Sequence, residues 1–289
     1  MTNPMQPTNL KSERKPSELA TRVVSAIMMI IAALGTAYIG GEIFALFWAI
    51  AAVAVFWEWT KMSGVGFIFP ARICFGVGAI AVAALSVVPH LAHGNGWFAL
   101  LVSVVLGIFV TLSGCTVRDR FWIGGGVLYA AVIAFFPPFL REMPFSGLSN
   151  ILWVFAVVWA TDIAAYFVGR ACGGPKLWPS VSPNKTWSGF CGGLIAGTLS
   201  GVAIVFILQG GNVRLSWVLV AVFSAIASIL SQGGDLAESS LKRHFGVKDS
   251  SALIPGHGGA MDRLDGFWAA VFFLGMCLIL THMVHNWAA

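Results

Sequence analysis

Apolar residues run along this chain in long blocks separated by short polar turns, with no alternation of the kind that marks strands. The blocks fall at about 22–39, 42–58, 72–90, 97–113, 121–140, 151–169, 187–208, 215–236 and 264–285. A helix rises about 1.5 Å per residue and needs roughly 20 apolar residues to cross the hydrocarbon core of a bilayer. The pattern predicts an all-α polytopic membrane protein with about nine transmembrane helices. No polar stretch of domain length is left over, so residues 21–289 are expected to form a single transmembrane domain. Residues 1–20, MTNPMQPTNLKSERKPSELA, are polar and read as a disordered tail. They lack the short apolar core and small-residue cleavage site of a signal peptide, so the first helix is expected to stay in the protein.

Composition agrees with this class: 58% of residues are hydrophobic, with 12 Trp and 22 Phe, far from the balance of a soluble domain. The five cysteines (Cys74, Cys115, Cys172, Cys191 and Cys277) are odd in number and have no CxxC spacing. They suggest neither a disulfide framework nor a zinc site.

A net charge of +5 could mean nucleic acid, but the basic residues alternate with the apolar blocks and form no single patch. Topology accounts for them better. With nine spans and a cytoplasmic N-terminus, the inner side holds Lys11, Arg14, Lys15, Arg22, Lys61, Arg72, Arg118, Arg120, Arg170, Lys176, Lys185, Lys242, Arg243, Lys248 and Arg263. Only Arg141 and Arg214 fall outside. This positive-inside bias orients the C-terminus outward, and adding or deleting one internal span would degrade it.

The first five helices read as scaffold. Glu42 at an outer turn and Glu58 beside Trp57 and Trp59 at the inner end of the second helix read as ordinary interfacial carboxylates. The pairs His90/His93 and His282/His285 have i, i+3 spacing but no acidic neighbour, and are read as interfacial, not as metal ligands. Pro137-Pro138 is expected to kink the fifth helix. The glycines at 124–126 and 192–193 lie inside apolar runs and are expected to allow close helix packing.

Polar chemistry concentrates between Ser231 and Asp265. In a chain with only 10% charged residues, this stretch carries Asp235, Glu238, Lys242, Arg243, Lys248, Asp249, Asp262, Arg263 and Asp265. If the apolar helix before it continues, Asp235, Glu238, Ser239 and Lys242 share one face at i, i+3, i+4 and i+7. There Lys242 reads as an exposed cation beyond the membrane boundary. A last helix opening near Met261 again puts Asp262 and Asp265 on one face, at an end whose free amides and dipole favour anions. Between the two, Pro255-Gly256-His257-Gly258-Gly259 allows close backbone approach. Two acidic faces joined by a glycine-rich loop describe a divalent-ion and phosphate site. Asp235, Asp262 and Asp265 come within reach of one ion, and oxygen ligands of this type select a hard cation such as Mg2+.

Asp162 lies about seven residues, roughly 10 Å, inside the cytoplasmic end of the sixth helix. A carboxylate there costs about 2.5–3.5 kcal/mol on insertion scales unless it faces a partner or water, so it should point into the bundle. The loop that follows, residues 170–186, is basic and shaped by Gly and Pro, which suits phosphate. Lys185 is the favoured contact, whereas Arg170 and Lys176 also fit a role as membrane anchors.

The residues now in view resemble the phosphatidate cytidylyltransferase (CDP-diacylglycerol synthase) family. That family's signature, S-x-x-K-R, then K-D, then H-G-G, then D-R-x-D, is matched by Ser239, Lys242, Arg243, Lys248, Asp249, His257, Gly258, Gly259, Asp262, Arg263 and Asp265. The segments TDIAAYFVGR (Thr161 to Arg170) and SPNKT (Ser182 to Thr186) are similar to the family as well. Ala260 replaces a larger apolar residue and Ser188 an acidic one, and neither is an expected ligand. The resemblance implies a multi-pass enzyme of the bacterial inner membrane that joins CTP and phosphatidic acid to give CDP-diacylglycerol and pyrophosphate. It also implies Mg2+, a second cation, surrounding membrane lipid and a homodimer, while the scatter of basic residues among the apolar blocks argues for no nucleic acid partner.

Under that reading the site lies at the cytoplasmic face, in loops 170–186 and 243–262. Asp235, Asp262 and Asp265 would bind metal, Lys185, Lys242, Arg243 and Arg263 the phosphates, Ser182 and Ser239 would donate hydrogen bonds, and His257-Gly258-Gly259 would let phosphate approach the backbone. Asp162, Glu238 and Asp249 would support these or brace the fold. Two rivals remain open on the residues alone. A CTP-dependent lipid kinase would share a nucleotide and a lipid acceptor but transfer the γ-phosphoryl group, and a cation or proton transporter would also place carboxylates in helices, although near the midplane.

Overall fold

In the computed structural model, described for residues 18–88, 96–144, 146–209 and 216–287, all nine apolar blocks are helices. They are α1 (Glu18–Ile39), α2 (Gly41–Ser63), α3 (Ala71–Val87), α4 (Gly96–Leu112), α5 (Val117–Arg141), α6 (Gly147–Cys172), α7 (Trp187–Gln209), α8 (Trp217–His244) and α9 (Met261–Trp287). Residues 1–17, His90, His93 and Arg214 lie outside the description, as do the side chains of His282 and His285.

Among the described residues seven helices, all but α3 and α4, are long and apolar enough to cross a membrane. α3 and α4 have 17 residues each, or about 26 Å at 1.5 Å per residue, just short of a hydrocarbon core of about 30 Å. α5 runs as one helix through Pro137 and Pro138 to Arg141.

The segment read as a plain loop after α6 contains a β-hairpin. β1 (Lys176–Trp178) pairs antiparallel with β2 (Ser182–Thr186), with Lys176 opposite Thr186 and Trp178 opposite Ser182. Gly173 (φ 61°) and Gly174 (φ 95°) turn the chain out of α6 into the hairpin, a conformation that glycine alone adopts at little cost. Thr186 then caps α7, its Oγ1 accepting from Gly189 N at 3.1 Å.

The helices alternate in direction, so two sets of ends can be recognised. At one end, Ile68 N donates to Ser113 O (2.7 Å) and Cys115 N to Gly66 O (3.1 Å), joining the α2–α3 and α4–α5 turns. Trp59 Nε1 donates to Trp122 O (2.7 Å), and Trp122 packs edge-on against Phe245 at 4.7 Å, bringing the end of α2, the start of α5 and the end of α8 together. Ser25 Oγ donates to Pro255 O (2.8 Å), which adds the start of α1. At the opposite end, Arg141 clamps the α1–α2 turn through Ala37 O (2.7 Å) and Tyr38 O (3.3 Å).

The core is aromatic and small-residue. Trp48 of α2 stacks on Phe267 of α9 at 4.7 Å, and Phe267 meets Phe155 of α6. α6 and α7 approach along Gly189, Gly192, Gly193, Gly197 and Gly201. A Cβ on Gly192 would lie 2.7 Å from Val168, and one on Gly193 2.9 Å from Thr161 O. The glycines at 125 and 126 make room for the Trp59 ring in the same way, so both glycine groups serve packing.

Candidate active site

A cavity of about 860 Å3 opens among the ends of α6, α8 and α9 and the hairpin, within the size range of small-molecule sites. α6 contributes Asp162, Tyr166 and Arg170, the hairpin Lys176, Asn184 and Lys185, and α8 Gln232, Asp235 and Lys242. Asp249, Asp262, Arg263 and Asp265 complete the charged wall. Five carboxylates and five cations therefore face one space, drawn from parts of the chain up to about 100 residues apart.

Ion pairs set their positions. α8 continues without a break to His244, which carries Asp235, Glu238, Ser239 and Lys242 on one face. Asp235 pairs with Lys185 of β2 at 2.5 Å and accepts from Ser239 Oγ at 3.3 Å. Lys242 Nζ lies 2.6 Å from both Glu238 Oε2 and Asp262 Oδ1. The reading of Lys242 as an exposed cation is thereby corrected: its side chain is 11% exposed, between carboxylates that are 1% and 5% exposed. α9 folds back against α8 and covers it. The other oxygen of Glu238, Oε1, is buried without a hydrogen-bond partner among the described residues.

The start of α9 also differs from expectation. Its leading amides are taken by the protein's own carboxylates, so they are not free for a phosphate. Gly259 N donates to Asp262 Oδ2 at 2.8 Å, while Ala260 N and Met261 N donate to Glu58 at 2.9 and 2.7 Å. Asp262 further accepts from Ser250 N (3.0 Å) and Ser250 Oγ (3.0 Å).

The glycines of the HGG stretch do not line the cavity. Gly258 has φ 82°, and a Cβ there would stand 2.7 Å from Asp262 Oδ2. Its missing side chain makes room for a protein carboxylate. His257 is also off the cavity wall, with Nδ1 buried and unpartnered among the described residues.

Lys185, Lys242, Arg263, Asp235, Asp262 and Asp265 all line the cavity, and so does Asp162, but among the described residues no three acidic, His or Cys side chains stand together as a metal cage. Arg243, Ser182 and Ser239 are not on it. Arg243 reaches Val181 O (3.4 Å) and Val247 O (3.2 Å), tying the hairpin and the following loop to α8. Asp249, read as a brace or support, stands exposed on the cavity wall.

Residues not singled out in the sequence include Asn184 and Gln232, whose Nε2 donates to Phe190 O at 3.3 Å, and the reading of Glu58 as an interfacial carboxylate is corrected. Its exposure is 0%. Nothing in a local window distinguishes a carboxylate beside two tryptophans at a membrane boundary from one folded under a distant loop.

Comparison with known proteins places the chain among relatives along nearly its whole length. Residues 20–281 match the Cytidylyltransferase family. A phosphatidate cytidylyltransferase of Brucella suis biovar 1 (strain 1330) is 40% identical over 259 residues, covering 89% of this chain and 92% of the relative. One of Brucella abortus biovar 1 (strain 9-941) has the same identity and coverage. One of Staphylococcus aureus (strain COL) is 34% identical over 267 residues, covering 90% of this chain and 99% of the relative.

Proposed function

The chain belongs to the cytidylyltransferase family, and from that premise we propose that it is a phosphatidate cytidylyltransferase, transferring the cytidylyl group of CTP to phosphatidic acid. The observation that carries this reading is the cavity in which Lys185, Lys242, Arg263, Arg170 and Lys176 face Asp235, Asp262 and Asp265 at one end of a bundle of apolar helices. A lipid phosphate can reach such a place from the bilayer and a nucleotide from the aqueous side.

An oxygen of the phosphatidate phosphate attacks the α-phosphorus of CTP. The bond from that phosphorus to the oxygen bridging to the β-phosphate breaks, and pyrophosphate leaves with the electron pair. The attacking oxygen is already anionic, so no general base is needed. The work left to the protein is to bring polyanions together and neutralise the leaving group. Arg263 is exposed on the first turn of α9 and can turn toward phosphates, whereas Lys185 is held by Asp235 and reaches them only by giving up that pair. Lys242 is pinned by two carboxylates and sets the charge of the wall. Arg170, whose guanidinium donates to Tyr166 OH at 2.9 Å, and Lys176 extend the basic side toward the hairpin.

The donor set fits a hard cation. Asp235 and Asp265 line the cavity, Asp265 with Oδ1 engaged by Gly266 N at 2.7 Å, and Asp262 stands alongside. Among the described residues no three Asp, Glu, His or Cys side chains form a ready-made cage, so phosphate oxygens and waters would have to supply the remaining ligands of an ion held there. Bound there, Mg2+ would neutralise charge developing on the transferring and leaving phosphates. The same reading carries the bacterial inner membrane, a second cation and the homodimer over from the family resemblance, and the inward N-terminus over from the distribution of Lys and Arg.

The test is transfer by the purified protein with phosphatidate and CTP labelled at either phosphate. Label entering lipid from the α position only is the expected result. Label from the γ position only means a lipid kinase, and no transfer with ion flux in liposomes means a transporter.

A further inference from the structure

Glu58 sits at the end of α2, away from the cavity lining, with no exposed surface. Its carboxylate is saturated by one distant segment. Oε1 accepts from Ser251 Oγ at 2.5 Å and Ala260 N at 2.9 Å, and Oε2 from Met261 N at 2.7 Å and Ser250 Oγ at 3.1 Å. Two of these donors are the leading amides of α9, so Glu58 caps that helix from another helix, on the side where the helix dipole favours a negative charge.

The segment is built round the carboxylate. A Cβ at Gly259 would lie 2.5 Å from Glu58 Oε1 and would also overlap Ser250 Oγ, so the second glycine of the HGG stretch leaves space for Glu58. Ser250 Oγ stands between two carboxylates, 3.1 Å from Glu58 and 3.0 Å from Asp262, and its one proton is shared between them. Asp262 in turn holds Lys242. A continuous polar network therefore runs from α2, through the loop, to the charged wall of the cavity.

We infer that Glu58 is a positioning residue for the transfer site, fixing the start of α9 so that Asp262, Arg263 and Asp265 face the cavity. This inference rests on the reading of that cavity as the site of cytidylyl transfer. Removing the charge acts on geometry one turn away and on no substrate contact. Glu58→Gln keeps the volume but turns an amide NH2 toward at least one of the donors that now meet a carboxylate oxygen. A shift of the first turn of α9 moves three charged side chains together, which is felt in the rate more than in binding of the lipid.

The experiment compares full-length wild type and Glu58→Gln, purified in detergent, by steady-state transfer kinetics and by hydrogen exchange across residues 258–262. The expected result is a kcat reduced about 10- to 100-fold, the range for residues that orient a first shell, an unchanged KM for phosphatidate, and faster exchange at Ala260 and Met261. A folded variant with wild-type kcat overturns the inference, and so does a lowered kcat with wild-type exchange at those two amides. If Glu58→Gln does not yield folded protein, Ser251→Ala, which removes one donor to the same carboxylate, must change both readings in the same direction. No change in either overturns the inference. Failure of the wild type to transfer a cytidylyl group would instead refute the functional reading, while the exchange comparison still tests the capping.

Discussion

Lys242 on α8 and Asp262 on α9 hold each other at 2.6 Å, and Glu238 holds the same ammonium from the other side at 2.6 Å. One buried cation thus joins the two helices that carry the acidic residues of the site. A buried charge that loses its partner is costly, even where the pair itself adds little net stability.

Lys242→Met is therefore expected to do two things. Transfer activity should fall, and thermal unfolding in detergent should show a loss of about 3–5 kcal/mol, the cost of leaving buried carboxylates unpaired. Adding Glu238→Gln should restore part of the stability but not the activity. A Lys242→Met protein as stable as wild type would show that Glu238 and Asp262 find other partners.

Asp265→Asn and Asp262→Asn should separate metal binding from architecture. Among the described residues Asp265 accepts one hydrogen bond, from the adjacent Gly266 N. Its Asn variant should fold normally and need more Mg2+ for half-maximal transfer. Asp262 is bonded to Lys242, Ser250 and Gly259, so its Asn variant should lose stability as well as metal response. Unchanged Mg2+ dependence in both would remove these carboxylates from the metal site.

Sidedness can be read with single cysteines introduced into a chain lacking its native ones. Cysteine at Ser180 in the hairpin or at Lys248 should react with an impermeant thiol reagent only after cells are opened, and cysteine at Ser146 should react in intact cells. The reverse pattern would invert the topology.

The packing of α6 on α7 predicts a contrast between two glycines. Gly192→Leu meets Val168 at once and should cost about 1–3 kcal/mol, as overpacking does. Gly35→Leu on α1 meets nothing within 4 Å and should be neutral. Folded yield and thermal midpoint in detergent measure both, and equal effects would mean that the α6–α7 approach is looser than described.

The sequence by itself determined the helices, because a bilayer demands apolar length and that demand is local: all nine blocks are helices with ends within a few residues of those expected, apart from the inner end of α8. Helical spacing likewise announced that Asp235, Glu238, Ser239 and Lys242 share a face and that Asp262 and Asp265 share another. Tertiary structure alone decided which residues meet. Whether Lys242 is a free cation or a buried link depends on how α9 returns against α8. Whether the amides of Gly259, Ala260 and Met261 await a phosphate or are already bonded depends on Glu58, about 200 residues earlier in the chain. The hairpin depends on Arg243 of α8 reaching Val181 O across space and on Trp187 N donating to Pro175 O. Hydrophobic length is a sum over neighbours in sequence, whereas hydrogen bonds and ion pairs between helices belong to the packing, which no local window contains.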